Sequence, residues 1–551
     1  MKPKLFTVLK NYSKEQFIKD FIAGLIVAIV ALPLSIALAI ASGVSPECGL
    51  YTAVFAGFFI SFLGGSNVQI GGPTAAFVII VYNIQAKYGM SGLTLAAIMA
   101  GIILIIMGFL KIGNLIKFIP ATITTGFTAG IAVSIFAQQL KDFFGLKLER
   151  SPEDFIDRIQ LYVKDFGTMN TNALIIGCIA LLILILWPKV TNVIPGSLVA
   201  VIVTTILVKV TKLDVATIGS LYTVSGGIPK PQLPAGVDFK TIKELISPAV
   251  TIAILAGIES LLSCVVSDGM IGTKHDSNME LIGQGVGNIA SALFGGIPAT
   301  GAIARTATNI KSGGRTPVAG IVHSFTLLLI LIFLMPLAEL IPMATLAAIL
   351  MVVAYNMSDW RTFKSMLDAP KSDIIVLFVT FLLTVVFDLV VAIEVGMVIT
   401  AFLFINRMAN ETDIKYVHYN KKADDSDEIE NDPDAISLRI IPKRVSVFEI
   451  NGPMFFGAAD KFTNILYEVS PDTKVIILRM RSVPSADETA FKTLKKIHEQ
   501  CAATNMVLIL SHVNSQPMKM LKKHNYDTVI GFENICPHID DALDRARAVL
   551  N

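Results

Sequence analysis

Glu259 stands as the only charged residue in the run Ala253-Ile254-Leu255-Ala256-Gly257-Ile258-Glu259-Ser260-Leu261-Leu262. A charged carboxylate at membrane depth is costly, so Glu259 is a candidate proton carrier, neutral when loaded and reset by proton release. A glutamic acid held statically between helices is the alternative. Two other runs offer complementary chemistry: Gly71-Gly72-Pro73-Thr74-Ala75-Ala76-Phe77 and Gly295-Gly296-Ile297-Pro298-Ala299-Thr300-Gly301-Ala302. A short helix begun near Thr74, and another near Thr300, would leave backbone N–H groups unpaired and present the positive end of a helix dipole. Two such ends facing each other would hold an anion. The amides of Ala75, Ala76, Gly301 and Ala302 would meet carboxylate, sulfate or bicarbonate oxygens, with the Thr74 and Thr300 hydroxyls as further donors or as helix caps. Arg305, five residues after Thr300, would give the anion a fixed positive field, pair with Glu259, or extend to the cytoplasmic interface. His323 reads as a polar contact between helices, and Asp388 and Glu394 as helix-end residues.

The elements that must position these groups follow from composition. The 551 residues are 53% hydrophobic and only 16% charged, with a net charge of +2 and a mean hydropathy of +0.66. A soluble chain carries about 25% charged residues, so this one cannot cover several wet domain surfaces. An ordinary cytosolic enzyme, a disordered chain and a nucleic-acid-binding protein are poor fits, and lipid is the natural solvent. Five scattered cysteines, with no CxxC pair and no His/Cys cluster at metal spacing, suggest neither a disulfide scaffold nor a metal site. Apolar spans of about bilayer length fall near 21–42, 91–110, 120–139, 171–187, 193–210, 247–268, 317–335, 337–355, 373–391 and 393–409. Shorter pieces at 49–63, 280–294, 73–84 and 301–310 bring the expectation to fourteen segments. An even count places both ends on one side, and Lys111, Lys117, Lys189, Lys311, Arg315, Arg361, Lys364 and Lys371 then share the side of the basic segment 1–20. Both termini are expected in the cytoplasm.

The broken runs occupy corresponding places in two halves. An offset of 226 residues carries Pro33 onto Glu259 and Thr74 onto Thr300, which suggests an internal repeat. Lipid tolerates irregular backbone only where protein or a water-lined cavity covers it, and paired broken segments point to a midplane transporter site. The expected organisation is a cytoplasmic segment 1–20, a transport domain 21–410, an acidic linker 411–436 and a small α/β domain 437–551, in which β-rich runs alternate with amphipathic stretches. No nucleophile, phosphate loop or metal cluster stands out in that last domain, which reads as binding or regulatory.

These runs, with Gly272-Thr273-Lys274-His275, Glu280-Leu281-Ile282-Gly283-Gln284-Gly285, Gly287-Asn288 and Phe294-Gly295-Gly296, resemble the sulfate permease (SulP) family of anion transporters with a C-terminal STAS domain. The resemblance implies an α-helical membrane protein whose 14 transmembrane segments form 7+7 inverted repeats, with uracil-permease-like core and gate domains moving as an elevator. It implies a homodimer in a bacterial inner membrane, no cofactor, and an anion held between the two short helices, with Pro33, Leu34 and Leu38 of the first span closing the pocket. The Gly257-Ile258-Glu259-Ser260 run resembles proton-coupled C4-dicarboxylate members, so proton symport of a dicarboxylate is expected ahead of sulfate or bicarbonate. Glutamate where sodium-coupled bicarbonate members carry aspartate argues against sodium. Asp487-Glu488-Thr489-Ala490 is similar to the STAS phosphoacceptor loop, with alanine in place of the usual glycine, which makes Thr489 a candidate regulatory site.

Overall fold

The structure, a computed structural model, describes residues 2–114, 120–150, 154–191, 195–222, 227–234, 238–387, 389–417, 434–462 and 469–551. Lys117, Asp388, residues 418–433 of the acidic linker and the middle of the amphipathic stretch expected at 459–469 lie outside the described residues. The chain forms two compact units, Met1–Val398 and Ile399–Asn551.

In the first unit the hydropathy pattern becomes helix. Lys14–Ala41, Pro46–Leu63, Ala121–Phe144, Thr171–Val190 and Phe239–Ile271 are among the helices long and apolar enough to cross a bilayer, and Gly196–Thr211 and Val318–Phe333 are shorter apolar ones. Ser277–Leu293, Ile303–Lys311, Met343–Met357, Lys371–Val386 and the final Leu389–Glu411 occupy the remaining expected places. The helix Val78–Phe109 is broken at Gly89 (φ 66°, ψ −171°), which divides a half-length helix from the following span. A Cβ at Gly89 would meet nothing within 4 Å, so the positive φ, rather than space, calls for glycine there. With that break, the described residues hold the fourteen segments expected. Ile175, Leu182 and Ile185 are exposed on the helix Thr171–Val190, as a face turned to lipid chains should be.

Packing sorts these helices into two groups drawn from both halves of the sequence. Ser277–Leu293 lies against Pro46–Leu63 and Val78–Phe109, Phe239–Ile271 against Val78–Phe109, and Val318–Phe333 against Lys14–Ala41 and Pro46–Leu63. Ala121–Phe144 packs instead with Met343–Met357 and Lys371–Val386, and Thr171–Val190 with Gly196–Thr211 and Met343–Met357. Close approach in the first group relies on small residues. A Cβ on Gly101 would come within 2.6 Å of the Gly285 carbonyl oxygen, and one on Gly285 within 2.5 Å of the Gly101 oxygen. The region read as a loop between the fifth and sixth spans contains the amphipathic helix Phe155–Lys164. It is capped by Asp154, which accepts from the Asp157 amide at 2.8 Å, and is too short and charged to register as a span.

In the second unit, five strands run in the order β3 (Asp413–Val417), β4 (Val445–Asn451), β5 (Val475–Ser482), β6 (Val507–Ser511), β7 (Ile535–Cys536). Strands β4 to β7 are parallel and β3 pairs antiparallel with β4. Helices Glu488–Ala503 and Ile539–Leu550 belong to cores on the two faces, which is why β5 reads as a continuous apolar run. The sheet begins earlier than the expected start at 437. Ile414 and Tyr416 alternate toward the core, with the Tyr416 ring stacked 4.7 Å from Phe448, so the first residues of the expected linker are an edge strand.

Candidate functional site

The two broken runs meet. Gly71–Gly72 (β1) pairs antiparallel with Thr300–Gly301 (β2), Gly71 opposite Gly301 and Gly72 opposite Thr300. Past this pair the first chain turns at Thr74 into a 3-10 turn, Ala75–Phe77, and the second turns at Ala302 into Ile303–Lys311. Two helix N-termini are thereby brought to one place from opposite halves of the sequence.

Polar side chains pair the irregular backbone internally, as a low-dielectric setting demands. Glu280 accepts from the amides of Gly65 (2.9 Å) and Ser66 (3.2 Å), and Asn288 both accepts from the Ala299 amide and donates to the Ala299 carbonyl, each at 2.8 Å. The Ile297 amide donates to Thr52 Oγ1 at 2.7 Å, Ser291 donates to the Ile297 carbonyl, and Asn309 donates to that of Val68. Gln69, Ser260, Ser263 and Thr306 form a buried network behind the pair. Sequence reasoning missed this scaffold; its signal was polar residues recurring inside apolar runs, as at Gln284 and Asn288.

The scaffold decides which amides are available. The Gly301 amide donates to Ser260 Oγ at 3.0 Å and the Ala302 amide to the Ile70 carbonyl at 2.9 Å, so neither is free as expected. Thr300 is fully buried, donating to the Ala256 carbonyl (2.9 Å) and lying 2.7 Å from Ser260 Oγ; it is neither a cap nor exposed to a guest. The reason is register. By position before the helix, the counterpart of Thr74 is Ala302, two residues beyond the offset read from sequence. The amides that open the second helix therefore belong to Ile303, Ala304 and Arg305, and those that open the first to Ala75 and Ala76.

Thr74 does not cap its helix either. Its hydroxyl donates to Glu259 Oε2 at 2.9 Å, joining the first tip to the carboxyl carried by Phe239–Ile271. Thr74, Glu259 and Ala302 keep partial exposure, and Ile303 and Ala304 are exposed, whereas Gly72, Pro73, Ala75, Ala76 and Arg305 are buried. Accessible surface at the tips thus falls on Thr74, Glu259, Ala302, Ile303 and Ala304. Arg305 neither extends to an interface nor forms an ion pair with Glu259. It is 2% exposed and donates from Nη2 to the Pro73 carbonyl at 2.7 Å, with Nε and Nη1 lacking partners among the described residues. Gly72 makes this reach possible, because a Cβ there would overlap Arg305 Nη1. Pro33, Leu34 and Leu38 lie within Lys14–Ala41, which packs against Ile303–Lys311; Leu38 and Pro33 are buried and Leu34 is partly exposed. His323 is fully buried with neither ring nitrogen partnered among the described residues. In the second unit Thr489 is half-buried in the first turn of Glu488–Ala503, which Asp487 caps through the Ala490 amide at 2.8 Å.

Opposed half-helices inside a helical bundle are the architecture of a membrane transporter, and comparison with known proteins gives the same class. The sulfate permease family pattern matches residues 17–380 and the STAS domain pattern residues 437–542. The chain is 42% identical to the putative sulfate transporter YvdB of Bacillus subtilis over 535 residues, covering 97% of this chain and 98% of that one. It is 32% identical to the bicarbonate transporter BicA of Picosynechococcus over 533 residues, covering 92% and 90%. The fold matches the murine Solute Carrier 26 family member A9 anion transporter, solved in its inward-facing state, with a TM-score of 0.88 at 20% identity over 99% of this chain and 94% of that one. The chain belongs to the sulfate permease family and carries a C-terminal STAS domain. It is a multi-pass anion transporter, not an enzyme.

Proposed function

We propose that this chain is a secondary active symporter that couples inward proton movement to a small oxyanion held between the Ala75–Ala76 and Ile303–Ala304 amides. The observation that carries this reading is the Thr74–Glu259 hydrogen bond at the joined tips. A neutral Glu259 leaves the positive field of Arg305 and the two helix ends to the anion; a charged one competes with it. Loading of proton and anion are thereby linked. The group of helices carrying the tips moves against the group built on Ala121–Phe144, with the first span between them. Both termini are cytoplasmic, the membrane is the bacterial inner membrane, and the protein works as a homodimer through its membrane and STAS units. Thr489 is a regulatory phosphoacceptor, since a phosphate there would sit at a helix N-terminus.

The Gly-Ile-Glu-Ser run supports a C4-dicarboxylate as the anion, while the names of the relatives support sulfate and bicarbonate. A competition panel in proteoliposomes decides among them. An inward proton gradient should drive accumulation of labelled anion, and Glu259→Gln should abolish the accumulation. Uptake that ignores the proton gradient and persists in Glu259→Gln would overturn the reading in favour of sodium coupling or an uncoupled anion channel.

A further inference from the structure

The sequence shows no metal spacing in the soluble unit, yet the fold gathers three ligand-type residues from distant places. Asp434 precedes the 3-10 turn Ile436–Leu438, His512 follows β6, and His538 follows β7 at the cap of Ile539–Leu550. We propose that Asp434, His512 and His538 form a binding site for a first-row divalent metal ion, with Zn2+ preferred. One ligand atom from each residue lies within 4.8 Å of the other two. A tetrahedral ion at about 2.0–2.2 Å from its ligands would draw such atoms closer than this. Two imidazoles and one carboxylate suit Zn2+ and its neighbours better than Mg2+ or Ca2+, which take oxygen. Three protein ligands leave a fourth position for water.

The groups around the three ligands fit this use. His538 Nε2 lies 3.1 Å from Asp434 Oδ1, and its Nδ1 accepts from the Asp540 amide at 3.3 Å while lying 3.1 Å from Asp540 Oδ2. When Nε2 gives its lone pair to the ion, the ring's single proton resides on Nδ1, which then no longer accepts from the Asp540 amide and donates to Asp540 Oδ2 instead. That is the carboxylate–histidine–metal arrangement that fixes tautomer and ring orientation. Arg439 holds Asp540 through Nε (3.0 Å) and Nη2 (3.1 Å) and lies 3.6 Å from Asp434, while Arg479 is engaged by Glu449 and by the Asp434 carbonyl. His512 is placed by a left-handed backbone (φ 54°) and by donation from its amide to the Cys536 carbonyl at 3.0 Å. Its Nδ1 is buried without a partner among the described residues, and its ring centre is 5.0 Å from that of His538. An ion here fastens the chain entering at Asp434 to the ends of β6 and β7.

The test uses the full-length protein in detergent, stripped with a chelator and titrated with Zn2+ against a micromolar indicator, and separately with Co2+ followed by visible absorption. One Zn2+ per chain should bind, Co2+ should give the intense bands of a low-coordinate nitrogen and oxygen site, and Zn2+ should raise the melting temperature of the soluble unit. His512→Gln and His538→Asn, the latter keeping an acceptor at the helix cap, should each weaken binding about 100-fold, and Asp540→Ala about tenfold. Asp434→Asn provides a second arm should a histidine variant melt below wild type without metal. His498→Gln should change nothing, because His498 bonds Tyr526 outside the cluster. Absence of stoichiometric binding, or binding unchanged in both His512→Gln and Asp434→Asn, would overturn the proposal.

Discussion

The two helix tips are alike in backbone and unlike in side chain. Each follows one strand of the same two-residue pair, yet the first places a threonine at its cap position and the second an alanine. Both contacts fall on the first tip: Glu259 receives its hydroxyl, and Arg305 crosses from the second helix to its Pro73 carbonyl. In the proposed transport the repeat supplies paired amides, which would hold charge without choosing an ion to couple. The departures from symmetry supply the fixed cation and the carboxyl. Breaking Arg305 should therefore have the largest effect. In Arg305→Ala, anion affinity measured by scintillation proximity should fall about 100-fold, as expected when one partner of a buried charged contact is removed. Arg305→Lys, with charge but a single-point donor, should recover part of it. Equal affinity in Arg305→Ala and wild type would show that the amides suffice and that the asymmetry is incidental.

A next contrast separates the two strands of the pair. A Cβ at Gly301 would run into the Gln69 side-chain amide, which is tied to Ser260 and Ser263, whereas one at Gly71 would meet the end of the Ile60 side chain. Gly301→Ala should lower stability by about 1–3 kcal/mol, read as the melting temperature in detergent. Gly71→Ala should lower it by less, because an isoleucine methyl can turn aside. The reverse order would place the rigid half of the scaffold on the first run.

Much of this was legible in the sequence because lipid imposes simple rules. Span length, the Gly/Pro breaks and the isolated Glu259 each follow from the cost of unpaired backbone or charge away from water. Register was not legible. The offset that aligns Thr74 with Thr300 aligns like residues, whereas the fold aligns cap positions; the two-residue difference turns Thr300 inward, puts Ala302 at the cap and makes Ile303 and Ala304, not Gly301 and Ala302, the source of the opening amides. The direction of Arg305 was equally hidden, since its partner is a carbonyl, which sequence pattern does not mark. In the soluble unit, β3 was masked by charged neighbours, although the alternation of Ile414 and Tyr416 carried its signal. The Asp434–His512–His538 cluster was invisible because parallel strands gather residues from loops far apart in the chain.

The smallest expected effect sets the two threonines against each other. Thr300→Val removes a buried donor, leaving the Ala256 carbonyl and Ser260 short of a partner, so stability should fall by about 1–2 kcal/mol while the dependence of transport on pH stays as in wild type. Thr74→Val removes a half-exposed hydroxyl whose partner is Glu259, so stability should scarcely change. What should change is the proton concentration at which transport is half-maximal, because a donor that favours the charged carboxylate is gone and the neutral form is retained to higher pH. Transport at alkaline pH should therefore be kept better in Thr74→Val than in wild type, and Thr74→Ser, with its hydroxyl intact, should follow wild type. A pH profile measured in proteoliposomes that moves in Thr300→Val and stays fixed in Thr74→Val would place the coupling contact at the second tip instead of the first.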